Sequence, residues 1–444
     1  MTDKSTSPPP AYFLSLSLEN VRSFGEKQTI SFARPDGRPA QWTIILGDNG
    51  VGKTTVLKSL AAILPKQSSD GNYQPAMTSW QALWMPLRHE GEEVAEIEFS
   101  IQSKAKLTTT AFETNDAQVI TRTFRMFNPN KRTEEIRPYF NNLQIELQDI
   151  DCFGYGAGRT VGNSTLSEIP DITDNCNSIF DDRANLLNPE EWFLQMEYSS
   201  LKQDNQAAKS LEHVRQVLLQ VLPDVTAIRI ASRGYQQYLE LETPYGWVRL
   251  RDMSLGYQTL VVWLTDFASK LFIRYPESAN PLEEPAIVLI DEIDLHLHPE
   301  WQRKLIGFLS GIFKNTQFIA TAHSPLVVQA AGDAGANVVL LRREGDQTVV
   351  VKDLPDVRRW RIEQILSSEL FEDTSPLSPQ TEADLKLRNE LLLKKRPTAK
   401  DKAELERVNA LFGELPVGTT RPERRAEDLL AQLARNLGKS DILE

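Results

Sequence analysis

Three observations predict an α/β fold built on a parallel sheet. A buried-strand pattern at Trp42-Thr-Ile-Ile-Leu46 runs straight into glycine-rich residues and then a helical stretch from Lys53 to Leu64. Apolar strands return at Ala286 to Ile290, Thr316 to Ala320 and Asn337 to Leu341, with helical stretches between the first two. Upstream, the segment from Phe13 to Phe32 alternates apolar and polar residues on either side of a turn at Gly25, which reads as a strand, a turn and a second strand.

Whole-chain properties set the outer limits. A chain of 444 residues with 41% hydrophobic and 25% charged residues buries a sizeable core and makes no case for disorder. One large core with appendages is expected. There is no apolar run of about eighteen residues, and the first dozen residues are polar and proline-rich, so neither a secreted nor a membrane-spanning protein is expected and the cytoplasm is the expected location. Cys152 and Cys176 lack partners at metal-ligand spacing, which suits a reducing compartment and argues against a zinc site. A net charge of -12 disfavours a surface that is basic overall, while leaving room for a local basic patch.

Between these anchors the pattern changes twice. From about Glu92 to Leu147 it is strand-like, with Val94, Ile97, Phe99 and Ile101 as apolar positions and threonine-rich pieces near Leu107 to Phe112 and Val119 to Phe124, which suggests an antiparallel lobe. From about Leu166 to Val225 it turns helical, with Leu211, Val214, Leu218 and Leu222 at helical spacing before Pro223 stops the segment. The tail from Trp360 to Glu444 is charged, helix-rich and broken by prolines, so a helical appendage is expected there. Expected regions are thus 1–165, 166–250, 251–355 and 356–444.

Chemistry concentrates in four places. Gly47-Asp-Asn49-Gly50-Val-Gly52-Lys53-Thr54-Thr55 fits the phosphate-binding pattern GxxxxGK[ST] in its required strand–loop–helix setting. Glycines let backbone N–H groups curl around a β-phosphate, Lys53 supplies a cation to the β- and γ-phosphates, and Thr54 offers its hydroxyl to Mg²⁺. The strand Ala286–Ile290 then ends in Asp291 and Glu292. Strand alternation would send these two carboxylates in opposite directions, Asp291 to a metal and Glu292 to general base or water positioning; carboxylates at strand ends are also common helix N-caps, a lesser reading beside a phosphate-binding loop. The strand ending at Ala322 delivers His323, whose neutral ring could donate toward a γ-phosphate or simply be structural. Finally, Ser254-Leu-Gly256-Tyr-Gln258 opens an apolar helix from Thr259 to Phe272, an anion-binding helix start or an ordinary serine cap.

Taken in order, these elements resemble the ABC-type ATPase head shared by RecF, SMC and Rad-type proteins and by the OLD family, over roughly Phe13 to Val351. The fold class is then an ABC-type P-loop head with an antiparallel β lobe, a helical lobe and a C-terminal helical appendage. By this resemblance Gly47 to Thr55 is Walker A, Ala286 to Glu292 Walker B, Ser254 to Gln258 the signature and His323 the switch histidine. Leu18-Glu-Asn-Val-Arg22-Ser-Phe24 is similar to the opening strand of such heads. The resemblance implies ATP and Mg²⁺ as ligands, and a head-to-head homodimer in which Ser254 and Gly256 of one copy complete the site of another. The D-loop position, usually Asp, falls at His298 within Asp294-Leu-His296-Leu-His298-Pro299, as in the OLD-like and defence-associated branch. The histidines and carboxylates there also invite a metal-site reading. Gln144 and Gln148 are the candidates for a Q-loop.

The spacing between Walker A and the signature leaves no room for long coiled-coil arms, and no Cys-x-x-Cys hook or Asp-x-Asp pair beyond His323 occurs, so a stand-alone ATPase is expected. The stretch from Trp360 to Phe371 and the charged helices after it are similar to ATPases of bacterial antiphage systems, the Septu type and its retron-associated relatives, which work with a separate HNH nuclease. The expected function is a slow ATP-gated switch that assembles with itself and with a nuclease subunit. A RecF-like DNA-repair ATPase is the alternative, with DNA or retron msDNA as the nucleic acid and Arg122, Arg125, Lys131, Arg132 and Arg137 as a phosphate-touching stripe or a solvated face.

Overall fold

The computed structural model describes residues 11–67, 73–75, 94–103, 118–127, 150–159, 175–181, 183–184, 186–234, 236–372, 374–392, 394 and 398–413. Lys131, Arg132 and Arg137, the candidates Gln144 and Gln148, and the threonine-rich piece from Leu107 to Phe112 lie outside them, as do the side chains of Arg122 and Arg125. The chain clusters into two units, 1–373 and 374–444.

In the first unit, β1 (Ala11–Glu19) and β2 (Gln28–Ser31) lead to β3 (Trp42–Leu46) and helix α1 (Lys53–Ala62). Short strands β4 (Pro65–Gln67) and β5 (Tyr73–Pro75) follow, then β6 (Val94–Ser103), β7 (Gln118–Phe127) and β8 (Cys152–Tyr155). Next come α2 (Asn177–Phe180), α3 (Pro189–Leu201) and α4 (Asn205–Val221), then β9 (Ala227–Arg233), β10 (Gln236–Thr243) and β11 (Gly246–Arg249). The remainder alternates: α5 (Leu255–Arg274), β12 (Ala286–Ile290), α6 (Pro299–Ile312), β13 (Thr316–Thr321), α7 (Pro325–Asp333), β14 (Asn337–Glu344), β15 (Gln347–Val351) and α8 (Ile362–Leu366).

Among the described residues the central sheet runs β15-β14-β3-β13-β12-β8, parallel except for the β14–β15 pair. Every residue of β3, β12 and β13 is buried, as two-sided coverage demands. Period-two alternation divides the core between the two faces. Trp42, Ile44, Leu46, Val288, Ile290 and Phe318 join the helices on one side. Ile45, Ile287, Leu289 and Ile319 join α1 and the antiparallel sheet β2-β1-β6-β7 on the other. The expected antiparallel lobe thus forms one cover of the parallel sheet.

The helical stretch read from Lys53 to Leu64 is α1, and the one read from Thr259 is α5, which begins earlier, at Leu255. Gly256 is tolerated in its first turn because a Cβ there would lie only 2.5 Å from the carbonyl oxygen of His296. The helical spacing of Leu211, Val214 and Leu218 is the buried stripe of α4. Cys152 and Cys176 are both buried free thiols, with Cys176 Sγ 3.6 Å from the Cys152 carbonyl.

From the tail, Val357, Ile365 and Leu370 belong to the core of the first unit, and Gln329 Nε2 donates to Trp360 O at 2.8 Å. In the second unit, helices α9 (Pro379–Leu392) and α10 (Ala399–Gly413) pack on each other, with Arg388 Nε donating to Asn409 Oδ1 at 2.6 Å. Among the described residues no helix is long and apolar enough to cross a membrane.

Trp42 of β3 stacks on Phe318 of β13 with ring centroids 4.2 Å apart, and both rings are buried at the centre of the sheet. Phe318→Ala should therefore lower stability by about 3–5 kcal/mol, read as an earlier chemical denaturation midpoint.

Candidate nucleotide site

Parallel pairing aligns the carboxyl ends of three neighbouring strands. Thr321 pairs with Ile45 and Ile290 with Ala320, so β3, β13 and β12 release Gly47, Ala322 and Asp291 at one edge of the sheet, where open α/β sheets bind ligands. The loop after β3 is shaped by its glycines. Gly47 has φ 139°, and a Cβ there would lie 2.3 Å from Leu341 O; Gly52 has φ 99°, and its Cβ would lie 2.5 Å from Ser23 Oγ in the turn after β1. The β1–β2 turn thus backs the loop, while Asp48, Asn49 and Gly50 are exposed.

Helix α1 starts at Lys53 with no side-chain cap and no acidic residue in its first turn, which leaves its N-terminal N–H groups and dipole available to an anion. Thr54 and Thr55 sit half-buried in that turn. Lys53 is buried, and its Nζ donates to the loop's own carbonyls, Gly47 O at 2.6 Å and Asp48 O at 2.8 Å. Burial lowers its pKa, opposed by the carboxylates of Asp291, Glu292, Asp48 and Asp294.

Asp291 ties two elements together. Its Oδ2 accepts from Thr54 Oγ1 at 2.7 Å and its Oδ1 from Thr321 Oγ1 at 2.6 Å. A carboxylate beside a hydroxyl is a hard-oxygen donor set that fits a divalent cation of the Mg²⁺ type. Glu292 departs from the expectation. Strand β12 ends at Ile290 and Glu292 has φ 49°, so left-handed backbone rather than strand alternation sets its direction. Its N–H donates to Thr321 Oγ1 at 2.7 Å.

Sequence reading missed Arg159, just beyond β8 in Gly156-Ala-Gly-Arg159. It is buried, its Nε donates to Gly156 O at 3.1 Å, and its Nη2 donates to the carbonyls of both Asp291 and Glu292. Burial pushes its pKa down to about 10, opposed by Asp291, Asp294 and Glu292. The only local signal was an arginine in a glycine-rich turn after an apolar strand.

His323 is exposed at the end of β13, and its backbone N–H donates to Asp294 Oδ2 at 3.0 Å. Gln302 of α6 fastens the neighbouring loops: Nε2 donates to Leu297 O at 3.0 Å and Oε1 accepts from Ser324 Oγ at 2.6 Å. His298 caps α6, its Nδ1 accepting from Glu300 N at 3.3 Å. Among the described residues no group of three or more His, Cys, Asp and Glu is placed to hold a metal, so the His296–His298 stretch does not form one. Ser254 precedes α5 but its side chain makes no capping hydrogen bond, against the plain serine-cap reading; it is exposed and takes no part in the Lys53–Thr54–Asp291 network. Gly256 instead packs on the His296 carbonyl. The structure therefore brings Lys53, Thr54, Asp291 and Glu292 to one edge, and leaves Ser254, Gly256 and His298 outside that hydrogen-bond network.

Thr321 is fully buried and serves Asp291 and Glu292 with one hydroxyl. Thr321→Val preserves the volume and strands both partners, so it should cost about 1–3 kcal/mol in a denaturant titration.

Two family models match, both described as AAA domain: one over residues 15–226, and one over residues 166–329 whose description also names the AbiEii toxin and a type IV TA system. The Septu protein PtuA of Bacillus mycoides is 26% identical over 365 residues, covering 81% of this chain and 45% of that protein. The Retron Ec83 probable ATPase of Escherichia coli is 39% identical over 120 residues, 27% of this chain and 22% of that one. The Septu protein PtuA of Bacillus thuringiensis is 32% identical over 145 residues, 31% of this chain and 36% of that one. The matches span less than half the length of these curated relatives. An SMC head domain from Thermotoga maritima overlaps loosely, with TM-score 0.42 and 16% identity over 78% of this chain and 100% of that one. The chain thus joins a glycine-rich phosphate-binding loop to a strand-end carboxylate at one sheet edge, and in sequence it is similar to AAA domains and to the Septu and retron-associated ATPases.

Proposed function

We propose that this chain binds ATP with Mg²⁺ and hydrolyses it as the regulatory subunit of an antiphage defence system, dimerising around nucleotide and controlling a separate nuclease of the HNH type. The observation that supports this reading is a half-site: Lys53, Thr54 and Asp291 converge at one sheet edge, while the exposed Ser254 makes no side-chain capping hydrogen bond on its own helix. A second copy presenting Ser254 and Gly256 would complete it. His298, beside that signature loop, would face the same junction.

The residues have separate tasks. Backbone N–H groups from Gly47 through Thr55, with Asn49, Gly50 and Gly52 in the loop, cradle the phosphates, and Lys53 turns from its loop carbonyls to the β- and γ-phosphates. Thr54 and Asp291 would hold the Mg²⁺, which when bound supplies positive charge against the phosphate oxygens. Glu292 orients water for in-line attack and takes its proton, and His323 donates to the γ-phosphate. The names of the Septu and retron relatives support the defence setting. A cytoplasmic location accords with this reading.

A second reading, a RecF-like DNA-binding repair ATPase, draws on a different feature. The guanidinium groups of Arg249 and Arg251 lie 3.9 and 4.8 Å from the Tyr238 ring centroid, and among the described residues neither forms a salt bridge. Such cations can hold phosphates of DNA or retron msDNA, and binding would then weaken with rising salt.

Native mass with and without ATP and Mg²⁺ tests the leading reading. Wild type should shift to a dimer or a multiple of dimers with nucleotide, and Ser254→Arg should abolish the shift while leaving nucleotide bound. Lys53→Ala should lose nucleotide. Glu292→Gln should hold ATP in a stable dimer, with hydrolysis down about 100-fold or more. A chain that stays monomeric with ATP in every variant contradicts the shared site.

A further inference from the structure

We propose that Arg159 is a positioning residue for hydrolysis, holding the backbone of Asp291 and Glu292 in the conformation that presents the Glu292 carboxylate. The inference rests on the ATPase reading above and deepens it.

The ladder of β12 stops at Ile290, so the next two residues must find new partners for their backbone N–H and C=O groups. Asp291 N–H donates to Tyr155 O at 2.8 Å and Glu292 N–H to Thr321 Oγ1 at 2.7 Å. The two carbonyls are left, and Arg159 Nη2 donates to both; Leu295 N–H adds a second bond to Glu292 O at 3.0 Å. Glu292 meanwhile sits at φ 49°, a left-handed conformation that a non-glycine residue keeps only when its surroundings hold it there. One guanidinium nitrogen bridging the carbonyls on either side of that residue is such a hold.

The cation's own situation points the same way. Arg159 is buried, and among the described residues it has no carboxylate within salt-bridge reach: its hydrogen bonds go to the carbonyls of Gly156, Asp291 and Glu292. A buried charge so placed is costly for folding alone. Its anchor is rigid. Gly156 N–H donates to Ser178 Oγ at 3.2 Å, and a Cβ on Gly156 would lie 2.0 Å from Ser178 O, so the turn that carries Arg159 is clamped to α2. Only a planar fork reaches back to Gly156 and forward to both carbonyls at once; a lysine ammonium keeps the charge and loses that geometry.

The test compares Arg159→Met and Arg159→Lys with wild type in the full chain, measuring ATP hydrolysis, affinity for a non-hydrolysable ATP analogue and thermal melting. In the Met variant kcat should fall about 100-fold, the usual scale for a misplaced catalytic group, with analogue affinity within about threefold. The Lys variant should fold and still hydrolyse about tenfold or more slowly, because charge without the fork does not restore the geometry. Should the Met variant fail to fold, the Lys variant decides alone. Wild-type turnover in either folded variant overturns the assignment, as does loss of analogue affinity in step with turnover. A wild type that binds the analogue and hydrolyses no ATP sinks the ATPase reading, and this one with it; a wild type that hydrolyses beside an equally fast Met variant sinks the Arg159 assignment alone.

Discussion

The carboxylate of Asp291 is the point on which the site depends. One oxygen receives the hydroxyl of Thr54 from the first turn of α1, the other that of Thr321 from the end of β13. Three elements distant in sequence are thereby registered by two short charge-assisted hydrogen bonds. The parallel ladder brings the strand ends level, but the carboxylate fixes the helix against them. The same hydroxyl of Thr321 also receives the Glu292 N–H, so the two acidic residues are set by one side chain.

What the sequence revealed and what it concealed divide along a physical line. The glycine-rich loop after Leu46, its flanking strand and helix, and the apolar runs read at Ala286 to Ile290 and Thr316 to Ala320 are local patterns, and the strands and helix form there with ends within two residues of those expected. The buried stripe of α4 was equally legible, because helical spacing is a property of neighbours in the chain. Arg159 was not, because its meaning lies in carbonyls more than a hundred positions away that only the β8–β12 pairing brings near. Glu292 was found as a residue and misjudged in conformation, since nothing in the string Asp-Glu-Ile-Asp announces where a strand gives way to left-handed backbone. At Ser254 the sequence left two readings open, an anion-binding helix start and a serine cap, and the side chain makes no capping hydrogen bond.

The loop from Asp294 to His298 lies between the parts of the proposed machine. Asp294 receives the backbone of His323, Gln302 bonds Leu297 O and the side chain of Ser324, and the His296 carbonyl rests where a side chain on Gly256 would have to be. Within one copy, the loop bearing His323 and the loop bearing Ser254 are thus joined through a few direct contacts. On the proposed reading those two loops serve different nucleotides, so the contact would let one site sense the state of the other.

Lys53 carries a further consequence. Its ammonium is already solvated by two carbonyls of its own loop, so an arriving anion must draw it away from bonds of 2.6 and 2.8 Å. A single weak anion makes a poor exchange for two charge-assisted bonds, whereas a chain of phosphates that also engages the helix N-terminus gains on several contacts together. On the proposed reading the loop would thus set a threshold of ligand charge, with the resting position of one lysine disfavouring small anions.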